Sequence, residues 1–144
     1  MDMKKITEEQ ITEAVKRLFL DAVKDLPSDV CEALDKAKGE EVSPLGRMVI
    51  DRLIENKNIA KEEDLALCQD TGFAVIFVEW GEKAIFDGEN LYEAINEGVR
   101  QAYKEGYYRK SIVSDPIFER KNTGDNTPAV INFEFVPGEH VKLI

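Results

Sequence analysis

The stretch Leu67-Cys68-Gln69-Asp70-Thr71-Gly72 runs directly into the apolar segment Phe73-Ala74-Val75-Ile76-Phe77-Val78-Glu79-Trp80. The first stretch places a thiol, an amide, a carboxylate and a hydroxyl in consecutive positions, and its glycine favours a turn. The unbroken apolar run 73–78 predicts a strand that is buried on both faces. A strand holds the polar groups that directly precede it in fixed positions. These groups are therefore the first candidates for a functional site.

The composition is that of an acidic, folded protein. The chain has 144 residues, of which 43% are hydrophobic and 33% are charged, which suits one domain with a hydrophobic core. Its formal net charge of -10 argues against non-specific binding to nucleic acid or to an anionic membrane. No apolar run resembles a signal peptide or is long enough to span a bilayer. We therefore expect a cytoplasmic protein.

Local signals upstream of residue 67 predict three helices. The sequence Thr7–Gln10 has the form of a capping box at the start of the first helix. Ser28 is expected to cap a second helix that stops at Gly39. Ser43-Pro44 is expected to open a third helix, and the run Asn56–Asn58 to break it.

The sequence downstream of residue 80 predicts short strands around one helix. Ala84–Phe86 is expected to be a strand, and Asn90 is expected to cap a helix that ends near Gly106. The small residues Gly98 and Ala102 on its inner face allow a close neighbour. Residues 111–128 form a polar, turn-rich loop, and loops of this length in compact domains are usually functional or poorly ordered.

The end of the sequence predicts a β-hairpin. Residues 129–136 alternate as a half-buried strand, Pro137-Gly138 is a turn, and residues 140–144 are expected to return beside that strand. The predicted fold class is α+β, with a helical layer followed by a small, mostly antiparallel sheet and a packed helix. We predict a single domain over residues 1–144, helical in 1–66 and sheet plus helix in 67–144.

The two cysteines are the first residues to consider for chemistry. Cys68 could be a metal or cluster thiolate, a nucleophile, or a buried apolar cysteine, whereas Cys31 lies on the inner face of a predicted helix and is expected in the core. Two cysteines cannot complete a four-thiolate metal site, and a disulfide is not expected in a cytoplasmic chain. The single histidine, His140, leaves no Ser-His-Asp triad.

Several charged residues also have two interpretations. Asp70 could act as an acid or base, or Asp70-Thr71-Gly72 could be an ordinary turn. Arg109 could pair with a carboxylate in bidentate fashion, or complement the dipole at a helix end. Asp115 and Asp125 could bind a hard cation, or initiate turns beside Pro, Gly or Asn.

Four motifs occur in order along the chain. They are Leu67-Cys68-Gln69-Asp70-Thr71-Gly72, Tyr107-Tyr108-Arg109-Lys110-Ser111, Ser114-Asp115-Pro116 and Arg120-Lys121-Asn122-Thr123-Gly124-Asp125-Asn126-Thr127-Pro128-Ala129. Together they closely resemble the iron–sulfur hydro-lyases, a family that includes class I fumarate hydratase and the alpha subunit of L(+)-tartrate dehydratase. The resemblance covers essentially the whole chain.

The resemblance implies a reaction and a cofactor. The reaction is reversible hydration of fumarate to malate, or dehydration of tartrate to oxaloacetate. The cofactor is a four-iron, four-sulfur cluster on three cysteines, whose open iron acts as a Lewis acid. Cys68 matches the first cluster ligand, and Gln69 and Asp70 match substrate-contacting positions, with Asp70 also in proton transfer. Arg109 matches an arginine that grips a substrate carboxylate.

The resemblance also implies missing parts. The family's other two cluster cysteines have no counterpart here, since Cys31 lies on the wrong side of Cys68. We therefore expect the chain to be the N-terminal portion of an alpha subunit, inactive alone, that works with a beta subunit or C-terminal domain and forms a homo-oligomer. The alternatives are a tartrate dehydratase alpha subunit, a non-catalytic assembly or binding module of the same fold, and a protein that uses Cys68 as a reactive thiol.

Overall fold

A computed structural model describes residues 3–144, and the mixture of helices and strands in them confirms the α+β class. The elements in chain order are β1 (Lys4–Thr7), α1 (Glu8–Ala22), α2 (Ser28–Glu40), α3 (Pro44–Glu62), β2 (Val75–Gly81), β3 (Ala84–Asp87), α4 (Leu91–Glu105), β4 (Val130–Val136) and β5 (Val141–Leu143). Residues 1 and 2 of the predicted helical region lie outside the described residues. None of the helices described between residues 3 and 144 is both long enough and apolar enough to cross a membrane.

The chain forms two compact units. The first contains the residues up to Leu20 together with Asp70–Ile144, and the second contains Asp21–Gln69. The boundary falls within the stretch 67–72, so Cys68 belongs to the second unit and Asp70 to the first. The single domain over 1–144 stays a prediction.

Helix α3 of the second unit starts where its sequence predicts. The Ser43 hydroxyl accepts a hydrogen bond from the Gly46 amide at 3.3 Å, and Pro44 occupies the first turn. The predicted break at Asn56–Asn58 is wrong, because α3 continues to Glu62. Asparagine costs a helix only a few tenths of a kcal/mol relative to average residues, which is too little to end it.

Helix α2 departs from its predicted ends. Pro27 occupies the N-cap position, no side chain caps the helix, and Ser28 is already its first residue. Gly39 lies inside the helix, which ends at Glu40. The predicted Ser28 cap and Gly39 stop are therefore wrong. Here the extended backbone at Pro27 (φ -56°, ψ 150°) marks the helix start.

The helices of the first unit have the predicted caps. Thr7 and Gln10 form the expected capping box, with the Thr7 amide 2.9 Å from Gln10 Oε1 and the Gln10 amide 3.3 Å from Thr7 Oγ1. Asn90 Oδ1 accepts from the amides of Tyr92 and Glu93 at the start of α4. Gly106 is the C-cap of α4, as expected.

The core of the first unit lies between α1 and α4 and on one face of β2. A Cβ atom on Gly98 would come within 2.6 Å of Thr12 O and 2.7 Å of Val15 Cβ, so α1 makes the close approach that the small residues allow. The core includes side chains from all three elements that are at most 3% exposed: Ile11, Val15, Ile76, Val78, Ala94, Ile95, Val99, Ala102 and Tyr103.

The expected antiparallel sheet is wrong for two of the three strand pairs among the described residues. Strand β2 is central in the order β4-β2-β5 and pairs with β4 in parallel and with β5 in antiparallel fashion. Strand β1, which was not predicted, pairs with β3 in parallel. The predicted β4–β5 hairpin is also wrong, since both strands pair with β2.

The two faces of β2 differ in exposure. Ile76, Val78 and Trp80 are buried, whereas Val75 is 45% and Phe77 50% exposed. The prediction that β2 is buried on both faces is therefore wrong for the part of the chain that the structure describes. Alternate side chains of a strand point to opposite faces, and only one face of β2 packs on the core of its unit.

Candidate functional site

Cys68 follows a residue that the second unit anchors on both sides of its backbone. The Leu67 amide donates to Val23 O at 2.9 Å, and the Leu67 carbonyl accepts from Asn56 Nδ2 at 3.0 Å. Cys68 itself is exposed and forms no disulfide. The alternative of a buried apolar cysteine is therefore wrong. The side chain lies on an anchored, non-helical segment, as an accessible thiolate ligand requires.

The second cysteine has a different environment. Cys31 lies on α2, is half-buried, and its thiol is 3.7 Å from the Leu26 carbonyl. The expectation that Cys31 belongs to the core is wrong, because no residue of α2 is fully buried. Cys31 therefore serves as a reference cysteine for Cys68.

The first unit holds the two residues that follow Asp70, Thr71 and Gly72, through bonds to Tyr103 and Asn126. The Thr71 hydroxyl donates to the phenol oxygen of Tyr103 at 2.9 Å, and Tyr103 is 1% exposed. Gly72 has a φ of +65°, which glycine adopts without strain. The predicted turn over residues 70–72 stays a prediction, and Asp70, which precedes this glycine, is exposed.

Asn126 connects Gly72 to the start of the loop that follows α4. Its side chain is 0% exposed. Asn126 Nδ2 donates to the Gly72 carbonyl at 3.1 Å, and Oδ1 accepts from the amides of Ser111 at 2.8 Å and Ile112 at 3.0 Å. One carboxamide thus joins three backbone groups from two segments that are distant in sequence.

Asp125 is held by the loop and by α4. Its carboxylate accepts from the Thr127 amide at 3.0 Å and from the Thr127 hydroxyl at 2.9 Å, and Arg100 Nε lies 3.1 Å from the other oxygen. Arg100 also pairs with Glu93 and Glu97 of its own helix. Partial burial opposes ionisation, but the hydrogen bonds from Thr127 and Arg100 outweigh it and hold the pKa of Asp125 below its usual value.

Replacing Asp125 by asparagine is expected to destabilise the chain at neutral pH and to lose this effect in acid. A carboxylate with a lowered folded-state pKa stabilises the fold above its unfolded-state pKa, and the contribution disappears as pH falls through the folded-state pKa. Because the side chain is 35% exposed, solvent screening limits the effect to about 1 kcal/mol. Urea unfolding of both proteins at about pH 7 and about pH 2 measures it. A difference that does not change with pH would contradict this assignment.

Asp115 is a turn residue. Its carboxylate accepts from the amides of Ile117 at 2.9 Å and Phe118 at 3.0 Å. The amides of Phe118 and Ile117 lower the pKa of Asp115. This geometry confirms the turn interpretations of Asp115 and Asp125. Among residues 3–144, no three His, Cys, Asp or Glu side chains are grouped closely enough to hold a metal ion.

The remaining predicted site residues are exposed. Gln69 is the last residue of the second unit, and Arg109 lies in the first unit directly after the buried Tyr108. His140 is exposed near the end of the chain. The carboxamide of Asn126 therefore binds Gly72, which follows Asp70 by two residues, and Ser111 and Ile112, which follow Arg109 by two and three.

A model of the fumarate hydratase (fumerase) family matches residues 12–144. This chain belongs to that family. The match covers the second unit and the first unit from residue 12 onward, and it includes Cys68, Gln69, Asp70 and Arg109. The resemblance that the sequence motifs indicate is thereby confirmed.

Individual members of the family are similar over most of this chain. A putative L(+)-tartrate dehydratase subunit alpha of Methanocaldococcus jannaschii is 38% identical over 88% of the chain and 45% of its own length. Fumarate hydratase 2 of Leishmania major is 31% identical over 97% of the chain and 25% of its own length. The L(+)-tartrate dehydratase subunit alpha of Escherichia coli is 30% identical over 82% and 38%, respectively. The chain thus spans less than half the length of these relatives.

Sequence reasoning did not single out three residues that organise the first unit's part of the site. They are Arg100, Tyr103 and Asn126, which bind Asp125, Thr71 and Gly72, respectively. Asn126 lies within the motif of residues 120–129, but asparagine is common in turns and no local sequence pattern indicates that this one is buried. Tyr103 is itself a core residue of α4 and Arg100 directly follows the core residue Val99, and aromatic and long side chains are ordinary in such a helix.

Proposed function

We propose that this chain is part of a hydro-lyase that reversibly hydrates fumarate to malate with a four-iron, four-sulfur cluster. The observation that carries the proposal is the family match over residues 12–144, which includes the Cys68-Gln69-Asp70 motif. The relatives that bear enzyme names are more than twice as long as the matched part. The proposed enzyme is therefore a larger subunit or assembly, to which this chain contributes one part.

Cys68 fits the proposed cofactor as one ligand. It is exposed and lies on an anchored segment. The other cysteine, Cys31, lies on α2 and is not a sequence neighbour of Cys68. We propose that the other two cluster cysteines belong to regions of the enzyme beyond this chain. When bound, such a cluster supplies an open iron that acts as a Lewis acid on a substrate hydroxyl or carboxylate.

The chain's own residues then have the following roles. Water adds across the double bond of fumarate, with hydroxyl to one carbon and a proton to the other, and in the reverse direction that proton leaves the carbon. We assign the transfer of this proton to the Asp70 carboxylate. Arg109 binds one substrate carboxylate through its guanidinium, and Gln69 hydrogen-bonds the substrate. The exposure of all three side chains is compatible with direct contact to a small dicarboxylate.

A second candidate is the alpha subunit of an L(+)-tartrate dehydratase. The relative from Methanocaldococcus jannaschii that carries this name is 38% identical, compared with 31% for the Leishmania major fumarate hydratase. The word alpha in its name supports a separate beta subunit as the partner of this chain. The residues that choose between the two substrates belong, in this proposal, to parts of the enzyme outside residues 1–144.

The proposal predicts that activity and cluster appear only in the larger assembly. The 144-residue chain and the full-length protein that contains it, the latter with its beta partner where one is separate, are reconstituted anaerobically with iron and sulfide. We expect visible cluster absorption and hydration of fumarate, or dehydration of L-tartrate, from the assembly alone. Hydratase activity from the isolated chain would contradict the division of the site. An assembly that binds no iron would favour the non-catalytic binding module.

A further inference from the structure

Asn126 is the most deeply buried polar side chain among the described residues, at 0% exposure. Its side chain makes three hydrogen bonds, all to backbone groups in other segments of the chain: the Gly72 carbonyl and the Ser111 and Ile112 amides. A buried carboxamide with this many partners rigidly defines the position of the segments that it joins. These segments lie 54 and 14–15 residues away in sequence.

Each joined segment carries a residue of the proposed site. Gly72 is two residues after Asp70, and Ser111 is two residues after Arg109. The backbone of Asn126 has a φ of +63°, which asparagine tolerates better than most residues. Asp125 and Thr127 flank Asn126 and are hydrogen-bonded to each other, and Asp125 also binds Arg100. The loop therefore holds the Asn126 backbone in place as well.

We infer that Asn126 is a positioning residue that sets the placement of Asp70 relative to Arg109. This inference rests on the proposed function, in which both residues act on one dicarboxylate. A dicarboxylate has a fixed length, so Asp70, which transfers the proton, and Arg109, which binds a carboxylate, must keep a defined distance from each other. Small displacements of such groups lower catalytic efficiency strongly. Asn126 itself is not expected to touch the substrate.

The carboxamide can be tested one atom at a time. In Asn126→Asp, the ionised carboxylate still accepts from Ser111 and Ile112 but cannot donate to the Gly72 carbonyl. Because burial favours the protonated carboxyl, whose O–H can donate there, a variant without the side chain is also needed. Asn122→Asp is the matched control. Asn122 lies in the same loop, donates to Lys110 O at 2.9 Å and accepts from the Gly124 amide at 2.7 Å, and has no bond to Gly72.

The first measurement uses the 144-residue chain and carbonyl NMR. We expect the Gly72 carbonyl resonance to move in Asn126→Asp and to stay in place in Asn122→Asp. Because a buried carboxylate can prevent folding, Asn126→Gly serves as a second variant, since glycine adopts the positive φ without strain. A Gly72 resonance that does not move in either Asn126 variant would overturn the coupling.

The second measurement uses the full-length assembly with its cluster. At equal iron content, we expect the KM for the dicarboxylate to rise about tenfold in the Asn126 variants. It should stay within about twofold in Asn96→Asp, a half-buried residue of α4 whose Oδ1 accepts from the Ala129 amide at 2.8 Å, a bond that a carboxylate keeps. Asn122→Asp is the control for the Gly72 resonance alone, because Asn122 donates to Lys110 beside Arg109. If Asn126 has a purely structural role, its variants will contain less active enzyme but have an unchanged KM. An unchanged KM would therefore overturn the positioning role. If the wild-type assembly acts on neither fumarate nor tartrate, the proposed function fails and the substrate-positioning role with it. The Gly72 resonance then still decides the coupling separately.

Discussion

Replacing Cys68 by serine is expected to abolish cluster assembly and hydro-lyase activity in the larger enzyme that we propose. Serine preserves the size of the side chain but replaces the soft thiolate that iron–sulfur clusters require. Cys68 is exposed on a segment whose preceding residue is anchored by Val23 and Asn56, so the substitution leaves the backbone supports intact. The loss should therefore come from the missing ligand rather than from unfolding.

The matched control for this experiment is Cys31→Ser. Cys31 is half-buried on α2, and its thiol contacts only the Leu26 carbonyl among the hydrogen bonds described for it. We expect this variant to retain iron, inorganic sulfide, visible absorption and activity at wild-type levels. Iron and sulfide analysis after anaerobic reconstitution reads out ligation independently of turnover. A Cys68→Ser protein with a full complement of iron would contradict the ligand assignment and favour a reactive-thiol role.

Replacing Gly98 by alanine is expected to destabilise the first unit by about 1–3 kcal/mol, the usual cost of overpacking. The new Cβ atom would lie 2.6 Å from Thr12 O and 2.7 Å from Val15 Cβ, both on α1. Real Cβ atoms do not approach other atoms so closely, so α1 and α4 would have to separate. The gain in helix propensity from glycine to alanine is at most about 1 kcal/mol and does not offset this cost.

Gly39→Ala is the control for the helix-propensity contribution. Gly39 also lies inside a helix, α2, but a Cβ atom there would meet no atom within 4 Å. We expect this variant to be unchanged or more stable, by up to about 1 kcal/mol. Urea unfolding monitored by circular dichroism compares both variants with the wild type. Equal effects of the two substitutions would mean that the α1–α4 contact does not limit stability.

The parts of the fold that the sequence predicted correctly depend on interactions between near neighbours in the chain. The Ser43 and Asn90 caps each bind amides two or three residues away, and the Thr7–Gln10 capping box closes over the same distance. Such signals can be recognised without knowledge of the rest of the structure.

The errors concern elements whose partners are distant in sequence. The turn at Pro137-Gly138 favours a hairpin, yet Val141–Leu143 pairs with Val75–Gly81. Lys4–Thr7 is short and polar and becomes a strand only because Ala84–Asp87 lies beside it. The pattern of a strand indicates which of its faces is apolar, but the choice of partner depends on long-range packing.

The candidate site shows the same division. By itself, the sequence determined the family through its motifs, the helix caps, and the choice of Cys68, Gln69, Asp70 and Arg109 as candidates, because these follow from residue identity and local spacing. Only the tertiary structure decided the strand pairing, the exposure of Cys68 and the burial of Asn126. Burial and hydrogen bonding between segments up to 54 residues apart depend on how the chain folds back on itself, and no local pattern specifies them.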